Sequence, residues 1–343
     1  MRPCLDRNDG NDDLGDNPLT SNVINSQYYT LLDLDKLHKC LVDPGHTQLI
    51  ALHLNIQSLP SKHNQLIDLL ANLQNHNIKV DIIMLCETFL HDGNKDLYQI
   101  PGYTFISRNR LNMKRGGVGL YINTTIEYNI RPDLDTFIEG EFETIFIETT
   151  NTHKNTVVGS IYRPPNTNIA QSIDRYSEIF RKIGESESLI GTDQNFDMLK
   201  IESLPYIEDL FNMAINNGMI PTITKPTRIT HHSATLIDNI YIKHTQLCTK
   251  ICSSIILTDI SDHLPVITAL SYQRKYKKKR LPLTIEHRKM TPQNTSQIAN
   301  TLSQTNWDHL HTLNVNEAFD IFTKTLQASI DTHAPVKTHN HPS

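Results

Sequence analysis

Residues 261–265, Ser-Asp-His-Leu-Pro, place a carboxylate beside an imidazole directly before an apolar run at 266–270. An imidazole exchanges its proton near neutral pH, so Asp262-His263 is suited to general-base catalysis or to contact with a phosphate. The chain holds 17 histidines, and one Asp-His step is therefore a weak signal by itself. Its significance depends on partners at the ends of other strands.

Polar residues also stand at the ends of other apolar runs. They are Asn55, Glu87, Tyr162, Asp193 with Asn195, and Asp238. Carboxylate and amide oxygens are the ligands that Mg²⁺ prefers, and this set contains no lysine or serine nucleophile. The set predicts metal-assisted attack of water on a phosphoester rather than covalent catalysis. For each residue taken singly, a turn is the alternative explanation, because Asp and Asn are common in turns.

Asp238 differs from the others because it interrupts the apolar run at 236–242. A carboxylate buried within a strand requires a hydrogen-bond donor, and His263 is the expected partner. Asp262 is a poorer partner for this imidazole, because neighbouring residues of a strand point to opposite faces.

The elements that must position these residues follow from the hydrophobic pattern. Strands are predicted at 49–54, 80–86, 116–122, 143–149, 156–161, 188–192, 236–242, 250–257 and 264–270, and helices at 61–76, 169–184 and 204–217. Several strands follow one another with no helix between them, which argues against an alternating βαβ sheet. The pattern predicts an α/β (α+β) fold over residues 47–271, with two packed mixed β-sheets flanked by helices.

The flanking segments have a different composition. Residues 1–46 are polar and irregular, which predicts a flexible lead-in with one short ordered piece at 28–37. Residues 272–290 are predicted as a basic linker, and the Lys/Arg cluster at 274–280 has three interpretations: a solvated linker, a DNA contact or a nuclear-targeting signal. Residues 291–343 are predicted as a helical or disordered tail, too short for a second large core.

The overall charge is slightly acidic, with 32 Lys and Arg against 37 Asp and Glu, so any contact with a polyanion must come from local patches. Loop cations that could meet phosphates are Arg108, Arg110, Lys114, Arg115 and Arg228, with plain solvation as the alternative. No apolar run approaches the length of a membrane span, which predicts no membrane partner. The five cysteines are scattered and lack CxxC spacing, which predicts an intracellular, reducing compartment without a disulfide framework.

Eight short motifs, in order along the chain, carry a family resemblance. They are HLNIQSL at 53–59, CETFL at 86–90, GGVGLYI at 116–122, IYRPPN at 161–166, GTDQNFD at 191–197, TRIT at 227–230, LIDNIYI at 236–242 and SDHLPV at 261–266. This order resembles the endonuclease/exonuclease/phosphatase superfamily. More narrowly, it is similar to the apurinic-endonuclease-like domain of non-LTR (LINE-type) retrotransposons.

The resemblance implies a four-layered sandwich and a divalent-metal endonuclease. Such an enzyme nicks DNA and leaves a 3′-hydroxyl for target-primed reverse transcription. The implied cofactor is Mg²⁺, with Mn²⁺ as the alternative, and the implied metal ligands are Glu87, Asn55 and Asp262. The implied partner is the DNA backbone, bound by a monomer without strong sequence preference, in the nucleus.

Catalytic roles follow from the same resemblance. Asp193 and Asn195 match the pair that positions the attacking water and the scissile phosphate, and Tyr162 matches the phosphate-contacting tyrosine. Asp238 matches the residue that orients His263, while the choice of general base between Asp193 and His263 stays open. The residues expected to bind substrate are Arg228, Thr227, Arg115 and Arg163.

Two departures from the family pattern bear on activity. Thr192 stands between Gly191 and Asp193, where the more common motif has none, and Gln57 stands where many relatives that act on abasic sites have an acid. The segment after 281 is similar to the one that leads into the family's reverse transcriptase, so a truncated element is expected. The alternative functions are a phosphodiesterase or phosphatase acting on a small phosphoester, and an inactive DNA-binding remnant.

Overall fold

The structure is a computed structural model that describes residues 26–150, 152, 154–244, 248–273 and 283–341. The chain divides into two compact units, Met1–Arg274 and Lys275–Ser343. Within the described ranges, no helix has both the length and the apolar character needed to span a bilayer. Residues 1–25 of the predicted lead-in and the whole basic cluster at 274–280 lie outside these ranges.

The first unit is built mainly from strands. In chain order its strands are β1 (Gln27–Tyr29), β2 (His46–Asn55), β3 (Ile82–Cys86), β4 (Tyr103–Arg108), β5 (Val118–Asn123), β6 (Tyr128–Ile130), β7 (Glu143–Thr149), β8 (Thr156–Tyr162), β9 (Glu187–Asp193), β10 (Ile220–Pro221), β11 (Arg228–Ile229), β12 (Ala234–Thr235), β13 (Asp238–Lys243), β14 (Cys248–Ile256) and β15 (Val266–Gln273). Its α-helices are α1 (Leu34–Leu41), α2 (Leu59–Asn75), α3 (Ile169–Ile183) and α4 (Pro205–Asn216). Short 3₁₀ helices lie at Lys95–Leu97 and Met198–Lys200.

These strands form two large mixed sheets. The first sheet has the order β1-β14-β15-β2-β3-β5-β4, and the second has the order β10-β13-β9-β8-β7-β6. Two parallel pairs, β2 with β3 and β8 with β9, lie near the centre of the sheets, and β1 pairs in parallel with β14. The other strand pairs of the two sheets are antiparallel, and β11 pairs with β12 as a separate hairpin.

Strand β2 shows how the alternation of side chains separates two apolar cores. Its residues Ile50, Leu52 and Leu54 are buried with α1 and α2 on the outer face of the first sheet. Because successive side chains of a strand point to opposite faces, the alternate residues of β2 face the second sheet. Two of these, His53 and Asn55, are polar and fully buried.

The second sheet is covered on its outer side by α3 and α4. The apolar stripe of α3, which includes Tyr176, Ile179 and Phe180, belongs to the same core as the inner faces of the two sheets. The layers are therefore helix, sheet, sheet and helix, which is the four-layered α/β sandwich expected from the sequence. The predicted fold class is confirmed.

Most boundaries predicted from the pattern agree with the structure, and two local differences have clear causes. Helix α2 begins at Leu59 rather than at residue 61, because Pro60 fits the first turn of a helix instead of breaking it. Strand β4 was not predicted: it is an edge strand whose residues are all partly exposed, so it lacks a long apolar run.

A disulfide joins Cys40 in α1 to Cys252 in β14, with the two Cα atoms 6.2 Å apart. The expectation of a chain without disulfides is therefore wrong for this pair. The two cysteines are 212 residues apart in sequence, and only the packing of α1 on β14 brings them together. Cys86 and Cys248 are free thiols, and Cys4 lies outside the described residues.

Asp81, just before β3, is a carboxylate whose charge opposes folding. Its Oδ2 accepts a hydrogen bond from the Ile50 N–H at 2.9 Å. Burial nevertheless raises the pKa of Asp81 to about 6, against the opposing effects of that bond and of Lys79. The folded protein therefore holds this proton more tightly than the unfolded chain between about pH 4 and pH 6, and the free energy of unfolding falls as pH rises through that window.

We predict that Asp81→Asn raises the free energy of unfolding at pH 7 by about 2 kcal/mol and removes this pH dependence. The asparagine oxygen can still accept from the Ile50 amide, whereas Asp81→Ala leaves that amide without its partner and serves as the contrasting variant. Urea unfolding at pH 4 and pH 7 measures both effects. An asparagine variant less stable than the parent at pH 7 would contradict the prediction.

The second unit contains a strand pair and two helices. Its elements are β16 (Leu283–Arg288), α5 (Pro292–Gln304), a 3₁₀ helix at Asp308–Thr312, α6 (Val315–His333) and β17 (Val336–His341). Strands β16 and β17 pair antiparallel. The Trp307 indole N–H donates to the Leu302 carbonyl at 3.0 Å, and its ring lies 5.5 Å from that of Phe322.

Candidate active site

The strand directions bring the predicted polar residues to one end of the sandwich. Parallel strands β2 and β3 deliver Asn55 and Glu87 at their carboxyl ends, while β8 and β9 deliver Tyr162 and Asp193. Strand β13 runs antiparallel to β9 and begins here, so that Asp238 is paired directly with Asp193. Asp238 therefore starts its strand rather than interrupting one.

Asn55 connects the two sheets at this end. Its side-chain amide donates to Glu87 Oε1 at 2.8 Å and to Asp193 Oδ2 at 2.7 Å. Its Oδ1 accepts from the Gln57 N–H at 3.2 Å, so the amide turns its NH₂ group, not its oxygen, toward the carboxylates. The Tyr162 hydroxyl also donates to Glu87 Oε1, at 3.0 Å. Both contacts use one oxygen of Glu87 and leave its Oε2 available to a cation.

The loop that carries Glu87 is held in an unusual backbone conformation. Glu87 has φ +52°, in the left-handed region that non-glycine residues rarely adopt. Its carbonyl accepts from the Ser58 N–H at 2.9 Å, and on the other side the Phe89 N–H donates to the Gly116 carbonyl at 2.9 Å. Neighbouring loops thus hold the loop on both sides. Such strain persists where the surroundings enforce it, and it is frequent at functional sites.

His263 and Asp238 form the second part of the site. The imidazole Nδ1 lies 3.0 and 2.9 Å from the two carboxylate oxygens of Asp238, and both residues are buried. The Thr227 hydroxyl donates to Asp238 Oδ2 at 2.8 Å. The expected contact between Asp238 and His263 is therefore confirmed, while its catalytic role stays a prediction.

Asp238 and His263 stabilise each other's charged form. Burial alone would lower the pKa of His263, but the charge and hydrogen bond of Asp238, aided by Asp193 and Asp262, raise it to about 9. Burial alone would raise the pKa of Asp238, but His263 lowers it well below its usual range. The pair is therefore an imidazolium and a carboxylate at neutral pH.

The pKa of Asp193 is shifted in the opposite direction from that of Asp238. Burial, together with the negative charge of Asp238, raises its pKa to about 7, although His263 and the Asn55 hydrogen bond oppose this rise. A carboxylate with a pKa near neutrality is suited to accept a proton at physiological pH. Asp193, Asp238 and His263 also place one potential ligand atom each within 4.8 Å of one another, close enough to hold a metal ion.

Arg163 holds the loop after β9. It was expected to bind substrate, yet the residue is only 3% exposed. Its guanidinium donates to the Gln194 carbonyl at 3.2 Å and lies 4.0 Å from the centre of the Phe196 ring. Its own carbonyl accepts from the Asn195 side chain at 2.9 Å. The structure therefore places Arg163 beneath Asn195, where it positions this loop instead of facing solvent.

Among the other residues expected to bind substrate or metal, three have protein partners and one is exposed. Thr227 is buried against Asp238, and Arg228 donates through two nitrogens to Asp262 Oδ2, at 2.9 and 2.7 Å. Asp262 thus contacts an arginine through Oδ2, and its expected role as a metal ligand stays a prediction. Arg115 is exposed on the loop before β5, and the adjacent Gly116 is paired with Phe89 near Glu87. Of the other expected loop cations, Arg110 is buried against Glu143.

The pattern did not indicate a role for His53, two residues before Asn55. This imidazole is fully buried, and its Nε2 lies 3.8 Å from Asp238 Oδ1. Its ring packs against Gly191, where an added Cβ would lie 2.7 Å from the imidazole Nδ1. His53 and Asn55 of β2 therefore face Gly191 and Asp193 of β9 in two layers.

Thr192, the residue that departs from the common motif, lies within strand β9. Strand β9 pairs without a bulge with β8 from Glu187 through Asp193 and with β13 from Ser188 through Asp193, so Thr192 occupies an ordinary strand position. The neighbouring Gly191 leaves room for the His53 ring. The insertion therefore leaves Asp193 in register.

We predict that Gly191→Ala lowers the free energy of unfolding by about 1–3 kcal/mol, because the new methyl group overlaps the His53 ring. In the double variant with His53→Ala the two changes should compensate in part, with a coupling of about 1 kcal/mol. Chemical unfolding of the four proteins measures this cycle. A control cycle with His231→Ala, in the exposed β11–β12 hairpin, should be additive, and additivity in the His53 cycle would contradict the assigned contact.

Comparison with known proteins places this arrangement in a family. The sequence profile of the endonuclease/exonuclease/phosphatase family matches residues 52–263, more than half of the chain. The chain belongs to this family. Its members are typically metal-dependent phosphodiester hydrolases. A search among curated protein sequences gives no match.

Solved structures with the same fold include two DNA-processing enzymes. One is the endonuclease domain of TRAS1, a telomere-specific non-LTR retrotransposon, with 14% identity and a TM-score of 0.54 over 66% of this chain and 100% of that one. Another is the AP endonuclease LMAP from Leishmania major, with 11% identity and a TM-score of 0.51 over 71% of this chain and 98% of that one. At these identities the similarity shows the fold.

The residues at the end of the sandwich fit the divalent metal of the family. Glu87, Asp193 and Asp238 supply hard carboxylate oxygens, which suit Mg²⁺ and Mn²⁺. The free Oε2 of Glu87 is the ligand atom that no protein contact described above occupies. Glu87 would therefore hold the ion, with Asn55 and Tyr162 fixing the carboxylate from its other oxygen.

Proposed function

We propose that this protein is a divalent-metal-dependent DNA endonuclease, which nicks target DNA and leaves a 3′-hydroxyl for target-primed reverse transcription. The observation that carries the proposal is the double contact of Asn55 with Glu87 and Asp193, beside the buried pair of Asp238 and His263. This arrangement brings together the Glu87 carboxylate, which is available to a metal, the Asp193 carboxylate, which is suited to accept a proton, and the His263 imidazolium. The TRAS1 endonuclease domain, similar in fold, supports the retrotransposon assignment.

The pKa values of His263 and Asp193 favour His263 as the proton donor and Asp193 as the general base. An imidazolium has no lone pair to take a proton from water, so His263, with a pKa near 9, is better suited to donate from Nε2 to a phosphate oxygen. Asp193, with a pKa near 7, is then the general base. Asn195 donates its backbone N–H to Asp193 Oδ1 at 3.3 Å and orients that carboxylate. A bound Mg²⁺ or Mn²⁺ would polarise the phosphoryl oxygen.

Contact with DNA is assigned to the loop that precedes β5. Lys114 and Arg115 are exposed on this loop, and the Gly117 carbonyl accepts from the Thr88 N–H at 3.2 Å, which fixes the end of the loop next to the residue that follows Glu87. Each phosphate neutralised by these cations would make binding depend on salt. We infer a monomer that binds the DNA backbone with weak sequence preference, in the nucleus.

The deciding experiment is nicking of supercoiled plasmid with Mg²⁺ or Mn²⁺, with a chelator control. We expect relaxed plasmid only with the metal, and termini that a DNA polymerase extends directly, which reports a 3′-hydroxyl. Release of phosphate from small phosphoesters with intact plasmid would instead favour a phosphatase. Salt-sensitive DNA binding without metal-dependent cleavage would favour an inactive remnant, although the regular register of β9 removes one reason for that alternative.

A further inference from the structure

Residues 26–41, here termed the strap, precede the 52–263 segment that the family profile matches. Within the strap, β1 adds a parallel strand to the edge of the first sheet, with Tyr28 paired to Ile255 of β14. Helix α1 follows and buries Leu34, Leu37 and Leu41. The disulfide from Cys40 fixes the end of this helix to β14. The strap is therefore an integral part of the first unit.

The first residues of the strap reach the loop at 222–228. Ser26 Oγ accepts from the Thr224 N–H at 2.9 Å. The Tyr28 hydroxyl donates to the Pro226 carbonyl at 2.9 Å. Lys225 donates to Gln27 at 2.8 Å and lies 5.6 Å from the centre of the Tyr28 ring. Four strap contacts thus fix three consecutive residues of this loop.

The next residue of the loop, Thr227, forms hydrogen bonds both to Asp238 and to the residue that follows His263. Its hydroxyl donates to Asp238 Oδ2 at 2.8 Å and accepts from the Asp238 N–H at 3.1 Å. Its carbonyl accepts from the Leu264 N–H at 2.7 Å, directly after His263. The Pro226 carbonyl that accepts from Tyr28 belongs to the peptide bond that leads into Thr227. A shift of this peptide would therefore move both partners of the Asp238–His263 pair.

We propose that Tyr28 is a positioning residue, which acts through the Pro226 carbonyl and Thr227 to fix Asp238 and His263. This role rests on the proposed function only where nicking is the readout. The geometry itself is testable without catalysis, because the Leu264 N–H donates to Thr227 and its exchange with solvent reports the local order of the loop.

The test compares Tyr28→Phe with Tyr29→Phe in the full chain. Tyr29 lies on the same short strand, but its ring packs in the core on the opposite face of the sheet, so it is a matched control. For Tyr28→Phe we expect kcat for plasmid nicking to fall about threefold to tenfold, as the loss of one hydrogen bond predicts, with KM unchanged and the thermal unfolding midpoint lowered by at most about 4 °C. We expect the Leu264 amide to exchange at least about fivefold faster, with Tyr29→Phe at parental values.

The outcomes separate the two proposals. If the parent protein does not nick DNA, the proposed function fails, and Leu264 exchange alone decides the role of Tyr28. Faster exchange only in Tyr28→Phe supports it. Equal exchange in both variants overturns it, and so does an equal loss of kcat in both, because that would reflect general loosening of the strap.

Discussion

Asp238→Asn is expected to lower the rate constant for DNA nicking by about 100-fold to 10,000-fold, the range associated with loss of a positioned proton donor or acceptor. The carboxylate accepts from His263 through both oxygens at 2.9 to 3.0 Å, and its charge is the main factor that raises the pKa of this imidazole. An asparagine can accept one hydrogen bond but carries no charge. The imidazole would then be mostly neutral at pH 7 and would lose its attraction for a phosphate.

The pH profile provides the more specific readout. If protonated His263 is the active form, nicking by the parent protein falls as pH rises through about 9, and in Asp238→Asn this fall moves to lower pH. Asp81→Asn is the matched control, because it neutralises another carboxylate at the opposite end of the sandwich and should leave the nicking rate unchanged. Nicking by Asp238→Asn within about threefold of the parent would exclude the assigned role.

Glu87→Gln is expected to raise the Mg²⁺ concentration for half-maximal nicking at least about tenfold and to lower the maximal rate about 100-fold. Glutamine keeps an oxygen that can accept from Asn55 and Tyr162, so the loop should retain its fold while the ligand charge is lost. A Mn²⁺ titration followed by calorimetry measures binding without catalysis.

Glu148→Gln is a suitable comparison for this variant. Glu148 lies on β7 and forms an ion pair with Arg131, and its side chain contacts none of the site residues described above. Mn²⁺ affinity should be unchanged in that protein. Parental metal affinity in Glu87→Gln would show that the ion is held elsewhere, for which the neighbouring carboxylates of Asp193 and Asp238 are available.

Much of the fold follows from local pattern. Strand β7 was predicted with its observed bounds, 143–149, and α3 within one residue, because both have a clear apolar period and well-marked ends. The contact of Asp238 with His263 was also predictable, since a buried carboxylate needs a donor. These inferences use properties of single segments or one general rule of burial.

Other features depend on contacts between distant segments. The buried position of Arg163 is set by carbonyls of the loop at 194–195, and the fit of His53 to Gly191 depends on how two different sheets face each other. The pairing of Asp262 with Arg228 likewise requires the position of the β11–β12 hairpin. Residue spacing contains no information on such distances, so the sequence supplied the members of the site but not all of their partners.

The Cys40–Cys252 disulfide also changes what a break in the backbone would do. The two cysteines are 212 residues apart in sequence, and the segment between them includes the exposed hairpin around residues 230–233. Exposed tips of this kind are preferred sites of proteolysis. A protein cleaved there remains one covalent molecule, with β15 and His263 on one fragment and Asn55, Glu87 and Asp193 on the other. The two fragments can separate only after the disulfide is reduced.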